Sequence, residues 1–371
     1  MRTRNLIATV ALAASTLVAS AGVARAEKFV IDDDTFLNIG VLAQPQLTFG
    51  ENATPSGGWN SDFYVRRARL VLSGQVDSHI GFIFITDQPN WGKGGVYDQQ
   101  MIVQDAVASY KFGPELTIDA GFMLLPFVRN NYLSAGALNT VDFRTPTIKF
   151  PISKAFRDMG VEARGLLLDN QIYYRAGVFN GISSKAADPV AMTPEINGSD
   201  APRLTGTVRY NLMGKEDAYA FSGIYFAKDP MISFGVGVDF QNEAYGPDSK
   251  HLGLNGDVFV DYPLDADNEI VASAAFMYYG DQGVGAAHAS ANTFYVEAGY
   301  RFQFIEPVVV FENSDIDGAP RATTLHAGVN WWITQHRYNL KAEIAIPMNE
   351  DPPGGTAVNN KLVTLQTQVV F

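Results

Sequence analysis

Period-two alternation of polar and apolar side chains is the feature of this 371-residue chain that most limits its fold. From Phe294 to Phe304 every second residue is apolar, whereas Glu297, Arg301 and Gln303 fall between them. Alternate side chains of a β-strand point to opposite faces, so this segment has one apolar and one polar face. A single segment of about ten such residues is weak evidence for a transmembrane strand, but many in succession are typical of a membrane barrel.

Sixteen segments show this alternation, and the last of them ends at the C-terminal Phe371. An even number of strands closes a bacterial antiparallel barrel, and closure is required because backbone N–H and C=O groups cannot stay unpaired in lipid. The sequence therefore predicts an all-β fold, a 16-stranded antiparallel transmembrane β-barrel around an aqueous channel. Tyr219–Ala227 could be a further strand, but the even count favours a place in a connection. The predicted strands are residues 36–49, 63–76, 79–88, 101–112, 115–125, 160–168, 171–180, 202–212, 231–241, 252–263, 269–280, 291–304, 307–314, 321–334, 336–347 and 361–371.

Short and long connections alternate along the chain, as they do in outer-membrane barrels. One connection, Pro126–Met159, is far longer than a structureless loop usually is. It carries more basic than acidic residues, and apolar side chains such as Phe143, Ile148 and Phe156 argue against a disordered segment. We expect this loop, about residues 126–159, to fold into the barrel and narrow the pore.

The N-terminus has the three parts of a secretory signal peptide. Arg2 and Arg4 precede the apolar run Leu6–Val23, and Ala24–Ala26 forms a cleavage site of the A-x-A type. We therefore predict a signal peptide at residues 1–26, a barrel domain at residues 27–371 and a location in the bacterial outer membrane, in contact with its lipid. The chain has 27 Lys and Arg against 39 Asp and Glu, so nucleic acid is an unfavourable partner.

Cysteine is absent from the sequence, which excludes thiolate metal sites and cysteine nucleophiles. The five histidines do not have the spacing of a known metal motif, and the glycine-rich segment 92–95 does not join a strand to a helix as a phosphate-binding loop would. We expect neither a metal nor another cofactor. A barrel enzyme stays open as an alternative, since a catalytic pair can assemble in space, but no motif favours it.

Arginines are concentrated in the strand of residues 63–76. Alternation places Arg67 and Arg69 on its polar face, with Val65, and places Arg66 and Tyr64 on the apolar side, where Arg66 would reach back to water at the margin of the lipid. Arginine grips oxyanions with two parallel hydrogen bonds and stays charged, so these residues predict an anion path. The other basic residues predicted to line the pore are Arg157, Arg164, Arg175, Arg203 and Arg209, and the acidic ones are Asp105, Asp239, Asp257 and Asp261. Alternatively, these arginines pair with carboxylates of the lumen and stiffen the wall.

Three stretches resemble the family of phosphate- and polyphosphate-selective porins, porins O and P. They are RRARLVLSGQV at Arg66–Val76, AFRDMGVEARG at Ala155–Gly165 and AGVNWWITQHRYNL at Ala327–Leu340. The resemblance implies a homotrimer of sixteen-stranded barrels with the third long loop inside and lumen arginines that lead anions to a central site. By this resemblance, Arg66, Arg67 and Arg69 match the arginine strand of the family. Asp105 matches an acidic residue of its pore, and Arg157 matches a basic one.

The chain departs from the family pattern at two basic positions. Leu124 stands where the family often has lysine, and Pro307–Phe311 lacks the Arg-Tyr pair that often follows the proline. We expect a porin for passive diffusion of small hydrophilic solutes with a preference for small inorganic or organic anions such as phosphate. The acidic net charge and the two departures favour the alternative, a non-selective or weakly cation-preferring porin.

Overall fold

The computed structural model describes residues 27–98, 100–149, 156–181, 199–244, 248–282, 290–352 and 354–371. The predicted signal peptide, residues 1–26, lies outside the described residues, and so do residues 150–155 of the long predicted loop. Within the described ranges there is no helix that is both long and apolar enough to cross a membrane.

Seventeen strands are found in the described residues, and sixteen of them form one closed antiparallel ring. Each strand from β2 to β16 pairs with the next, and β17 pairs with β2 to close the ring. The predicted sixteen-stranded barrel is confirmed, and Tyr219–Ala227 contributes no strand. The strands are β1 (Glu27–Val30), β2 (Phe36–Gly50), β3 (Asn60–Gln75), β4 (Ile80–Asp87), β5 (Ile102–Lys111), β6 (Thr117–Leu124), β7 (Arg157–Leu167), β8 (Ile172–Phe179), β9 (Arg203–Met213), β10 (Met231–Asn242), β11 (Lys250–Pro263), β12 (Asn268–Gln282), β13 (Ala291–Phe302), β14 (Ile305–Ile316), β15 (Ala322–Trp332), β16 (Tyr338–Pro347) and β17 (Leu362–Val370).

The short extra strand β1 lies outside the predicted set. It pairs with the first residues of β2, with Val30 opposite Phe36 and Glu27 opposite Ile39. Phe371 exchanges two backbone hydrogen bonds with Val41, so the chain end meets β2 just beyond the part that β1 covers. β1 therefore supplies backbone hydrogen-bond partners for the part of β2 that extends beyond the end of the chain at Phe371.

Burial follows the alternation of the sequence around the ring. On β13, Val296 is 49% exposed on the outer face, and its neighbour Glu297 is 7% exposed on the inner face. In an isolated barrel the lipid-facing side chains are the exposed ones, and the polar side chains are buried by the material inside the ring. The interior is therefore packed with side chains and loops over much of its section.

A β-bulge in β3 overturns the predicted faces of three residues. The residue before Pro45 pairs with Arg67, whereas Pro45 itself pairs with Val65, which leaves Arg66 without a partner on β2. Proline cannot donate a ladder hydrogen bond and is found at such irregularities, and the extra residue reverses the faces of the side chains before it. Tyr64 consequently points inward and is buried, and Val65, opposite Pro45, points outward. Arg66 lies inside the barrel rather than at the lipid margin, so these three placements drawn from strict alternation are wrong.

Long and short connections occupy opposite ends of the barrel, with one exception. Residues 125–156 join β6 to β7 at the long-loop end, and their described part contains two short 3₁₀ turns and the helix α1 (Thr145–Lys149). We refer to this segment as the β6–β7 loop. The exception is the β9–β10 connection, residues 214–230, which is long although it lies at the end where the other connections are tight turns.

Candidate functional site

The β6–β7 loop makes hydrogen bonds with inward-facing side chains on opposite sides of the ring. Asn255 of β11 donates a hydrogen bond to the Phe127 carbonyl (2.6 Å), and Gln44 of β2 donates one to the Ala135 carbonyl (2.9 Å). At least six strands separate β2 from β11 in either direction around the ring. These contacts place the described part of the loop within the barrel, where it crosses from one wall to the other.

Charged side chains hold the second half of the loop. Asp142 accepts hydrogen bonds from Arg66 Nε (2.7 Å) and from Arg67 Nη2 (2.5 Å) of β3. Arg144 lies 3.3 Å from the Glu312 carboxylate on the far wall. Burial alone would raise the pKa of Asp142, but Arg67 and Arg66 outweigh burial and hold that pKa well below its usual range. Asp142 of the loop therefore stays ionised where it contacts Arg66 and Arg67 at the bulge.

The remaining predicted arginines also lie against carboxylates. Each one contacts an acidic side chain on a strand one or two places away in the ring. The pairs are Arg69–Asp87 (3.0 Å), Arg157–Asp105 (3.0 Å), Arg164–Asp119 (2.5 Å), Arg175–Glu162, Arg203–Asp239 and Arg209–Asp257 (2.5 Å). The basic strands β7–β9 and the acidic strands β10 and β11 neutralise each other where they adjoin. Of the predicted acidic residues, Asp261 differs, because it accepts a backbone hydrogen bond from Tyr225 (2.6 Å).

A cavity of about 530 Å³ opens at the short-turn end, beside strands β2–β8. Its lining includes three cations, Lys111, Arg164 and Lys215, and one acidic residue, Asp217. Lys111 is exposed, and Arg164 keeps 17% of its side chain exposed although it is paired with a carboxylate. Lys215 pairs with Asp217 at 3.0 Å, and both are about half exposed. Positive charge therefore exceeds negative charge on this water-accessible surface.

Among the charged residues that shape the interior, Asp87, Asp142 and Glu216 were not predicted from the sequence. Asp87 is at the end of β4, and the other two lie in connections without alternation. Glu216 accepts two hydrogen bonds from Arg129 Nε, at 3.0 and 3.1 Å. The excess of cations on the neighbouring strands was a signal that further acidic partners lie inside the barrel, because buried charges are paired as a rule.

The ring of sixteen strands, with an apolar outer face and a charged interior crossed by a loop, defines a porin-type β-barrel. Residues 43–371 match the family model described as phosphate-selective porin O and P, and the chain belongs to that family. It is a multi-pass β-barrel of the bacterial outer membrane, and its family and fold indicate a channel rather than an enzyme. No curated protein matches the chain in sequence.

Solved porin structures share this fold at low sequence identity. The anion-selective porin from Comamonas acidovorans has a TM-score of 0.63 and 10% identity, covering 91% of this chain and 100% of that one. OmpF of Salmonella typhi, in complex with daunomycin, has a TM-score of 0.59 and 12% identity, with 93% and 100% covered. OmpT of Vibrio cholerae in its trimer form has a TM-score of 0.57 and 12% identity, with 91% and 100% covered. At this identity the likeness concerns the fold.

Proposed function

We propose that this porin passes small hydrophilic solutes and prefers small anions. The observation that carries the proposal is the lining of the short-turn cavity, where Lys111, Arg164 and Lys215 face water and Asp217 is the single acidic residue of the lining. Rings or clusters of Lys and Arg make a pore attractive to anions, and Asp or Glu make it attractive to cations. The net negative charge of the whole chain does not decide selectivity, because screening limits each charge to about 8 Å at physiological salt.

The predicted arginines divide into two roles under this proposal. Arg164 is also paired, with Asp119, but it keeps 17% of its side chain exposed in the cavity lining, where it would meet permeating anions together with Lys111 and Lys215. The other arginines are paired with carboxylates in the wall or the loop, where each pair is nearly neutral at a distance. We assign them to holding the β6–β7 loop and the wall in place, with Arg66 and Arg67 as the anchor for Asp142. By crossing the barrel, the loop would narrow the pore.

Two further points rest on family and fold. We propose a homotrimer, as in the trimer form of the structurally similar Vibrio cholerae porin. We also propose phosphate and similar oxyanions as the preferred anions, because the family is described as phosphate-selective and guanidinium and ammonium groups bind oxyanions by charge-assisted hydrogen bonds. Weak cation preference is the competing outcome of the test below.

The test is a reversal-potential measurement in planar bilayers across a potassium chloride gradient. The wild-type channel is expected to prefer chloride, and Lys111→Glu is expected to move the reversal potential toward potassium. The matched control is Lys361→Glu, which makes the same charge change at the long-loop end, where Lys361 lies 3.6 Å from Glu51. The shift should shrink as salt rises, because screening shortens the reach of the charge. A cation-preferring wild type, or equal effects of the two variants, would contradict the proposal.

A further inference from the structure

The β9–β10 connection enters the barrel from the end opposite to the β6–β7 loop. The Tyr219 hydroxyl donates a hydrogen bond to Asp105 on β5 (2.9 Å), and the Phe226 ring packs on Trp332 of β15 with centroids 5.2 Å apart. At least five strands lie between β5 and β15 in either direction. Phe221, midway between these contacts, is 1% exposed. The connection thus crosses the interior rather than lying over the barrel mouth.

Backbone hydrogen bonds join the connection to the β6–β7 loop. The Phe221 amide donates to the Tyr132 carbonyl (2.7 Å), and the Phe221 carbonyl accepts from the Ser134 amide (2.9 Å). The Gly223 amide donates to the Ala137 carbonyl (2.7 Å). A side chain at Gly223 would lie 2.6 Å from the Asn139 nitrogen, so glycine permits this close approach. Two segments from opposite ends of the barrel therefore form one continuous layer.

A buried ion pair holds the two segments together. Arg129 of the loop donates three hydrogen bonds to Glu216 of the connection and one to the Ser222 carbonyl (2.7 Å). The Arg129 guanidinium also stacks on the Phe259 ring at 3.4 Å. Burial opposes the charge on Glu216, but Arg129 and Arg209 outweigh burial and lower the pKa of that carboxyl. Glu216 therefore stays ionised, and its loss would leave a buried guanidinium without its main partner.

The layer packs against one part of the wall, and a cavity remains beside another part. Inward-facing side chains of β11, β12 and β15 near the connection, namely Phe259, Val271 and Trp332, are buried with Ile224 of the connection. On the opposite side, the cavity runs along strands β2–β8, and Lys215 and Asp217 at the start of the connection form part of its lining. The connection therefore borders this cavity, which under the proposed function is the open path for solutes.

We propose that the β9–β10 connection is a second constriction element, locked to the β6–β7 loop by the Arg129–Glu216 pair, and that it sets the upper size of solutes that pass. A solute that enters along β2–β8 has to pass the edge of the combined layer. The size limit then depends on the docking of the connection as well as on the loop. This role does not depend on anion preference, because a change in cross-section affects neutral solutes equally.

The test compares Glu216→Gln with the matched control Glu350→Gln in single-channel conductance and in liposome swelling with neutral sugars of increasing size. Both variants make the same change of side chain, but Glu350 lies at the long-loop end, is 60% exposed and is outside the lining of the cavity. Glu216→Gln is expected to raise the conductance and to speed the entry of trisaccharides relative to monosaccharides. Glu350→Gln is expected to keep the wild-type ratio of sugar rates.

A second variant keeps the proposal testable if Glu216→Gln fails to assemble. Residues 216–229 are replaced by Asn-Gly, which gives β9 and β10 a tight turn like the others at this end. Folded protein is identified by heat-modifiable migration on gels. Higher conductance and faster trisaccharide entry support the proposal. A folded short-turn variant with wild-type conductance and the wild-type ratio of sugar rates would overturn it, whatever its anion preference.

Discussion

Gly237 on β10 allows the β6–β7 loop to approach the wall, and replacing it by alanine tests that packing. A Cβ atom added at Gly237 would lie 2.3 Å from the Phe127 carbonyl oxygen, whereas ordinary contacts begin at 3.4 Å. The loop backbone would have to move by about 1 Å, since the obstacle is a backbone atom rather than a flexible side chain. Overpacking of this kind costs roughly 1–3 kcal/mol, and weakening the Asn255 hydrogen bond to the same carbonyl adds about 1 kcal/mol.

We therefore expect Gly237→Ala to lower the free energy of unfolding by roughly 2–4 kcal/mol and to change the single-channel conductance. Unfolding is measured with urea on protein refolded into lipid vesicles. The control is Gly256→Ala on β11, because Gly256 faces outward and has no atom within 4 Å of an added Cβ. That change should be neutral or stabilise by less than about 1 kcal/mol. Equal behaviour of the two variants would refute the close contact between the loop and β10.

Two further predictions concern the faces of the wall. Val296 faces lipid, and an arginine at the bilayer midplane destabilises a barrel by roughly 2–4 kcal/mol, so Val296→Arg should reduce the yield of folded protein. Ser73 lies in the cavity lining, so Ser73→Arg should keep the wild-type yield. If both variants lost the same fraction of folded protein on heat-modifiability gels, the assignment of these residues to the lipid and lumen faces would be wrong. Glu162→Gln should cost about 3–5 kcal/mol in urea unfolding because it leaves Arg175 buried without its carboxylate. The double variant Glu162→Leu, Arg175→Met should recover most of that loss, and a double variant no more stable than the single one would argue against a buried pair.

The barrel could be predicted because its strands repeat one local rule. Every strand must present an apolar face to lipid, so the period is written into each segment independently of its partners. The rule failed at β3, where a bulge places both Tyr64 and Arg66 inside the barrel instead of on the lipid side. The bulge lies opposite Pro45, which belongs to β2. Its effect on β3 could not be predicted before it was known which residue of β3 pairs with Pro45.

The β9–β10 connection was harder to interpret because its environment differs from that of a wall strand. Segment 219–227 carries aromatic and aliphatic residues like a strand, but these contact the loop, the wall and each other inside the barrel. A segment surrounded by protein has no lipid face and no water face, so alternation loses its meaning there. The even strand count excluded Tyr219–Ala227 from the wall, whereas its path through the interior depends on long-range contacts such as Arg129–Glu216.

Charge is the property for which sequence and structure give different information. The sequence gives the number of cations on inward-facing positions, and that number predicts an anion path along Arg67 and Arg69. The structure pairs Arg67 with Asp142 and Arg69 with Asp87, so the field of each cation is largely cancelled before it reaches the open path. Selectivity then depends on the charges that remain exposed to the path rather than on those that face inward. Lys111 is such a charge, which is why its reversal, and not the removal of a paired arginine, separates an anion-preferring channel from a non-selective one.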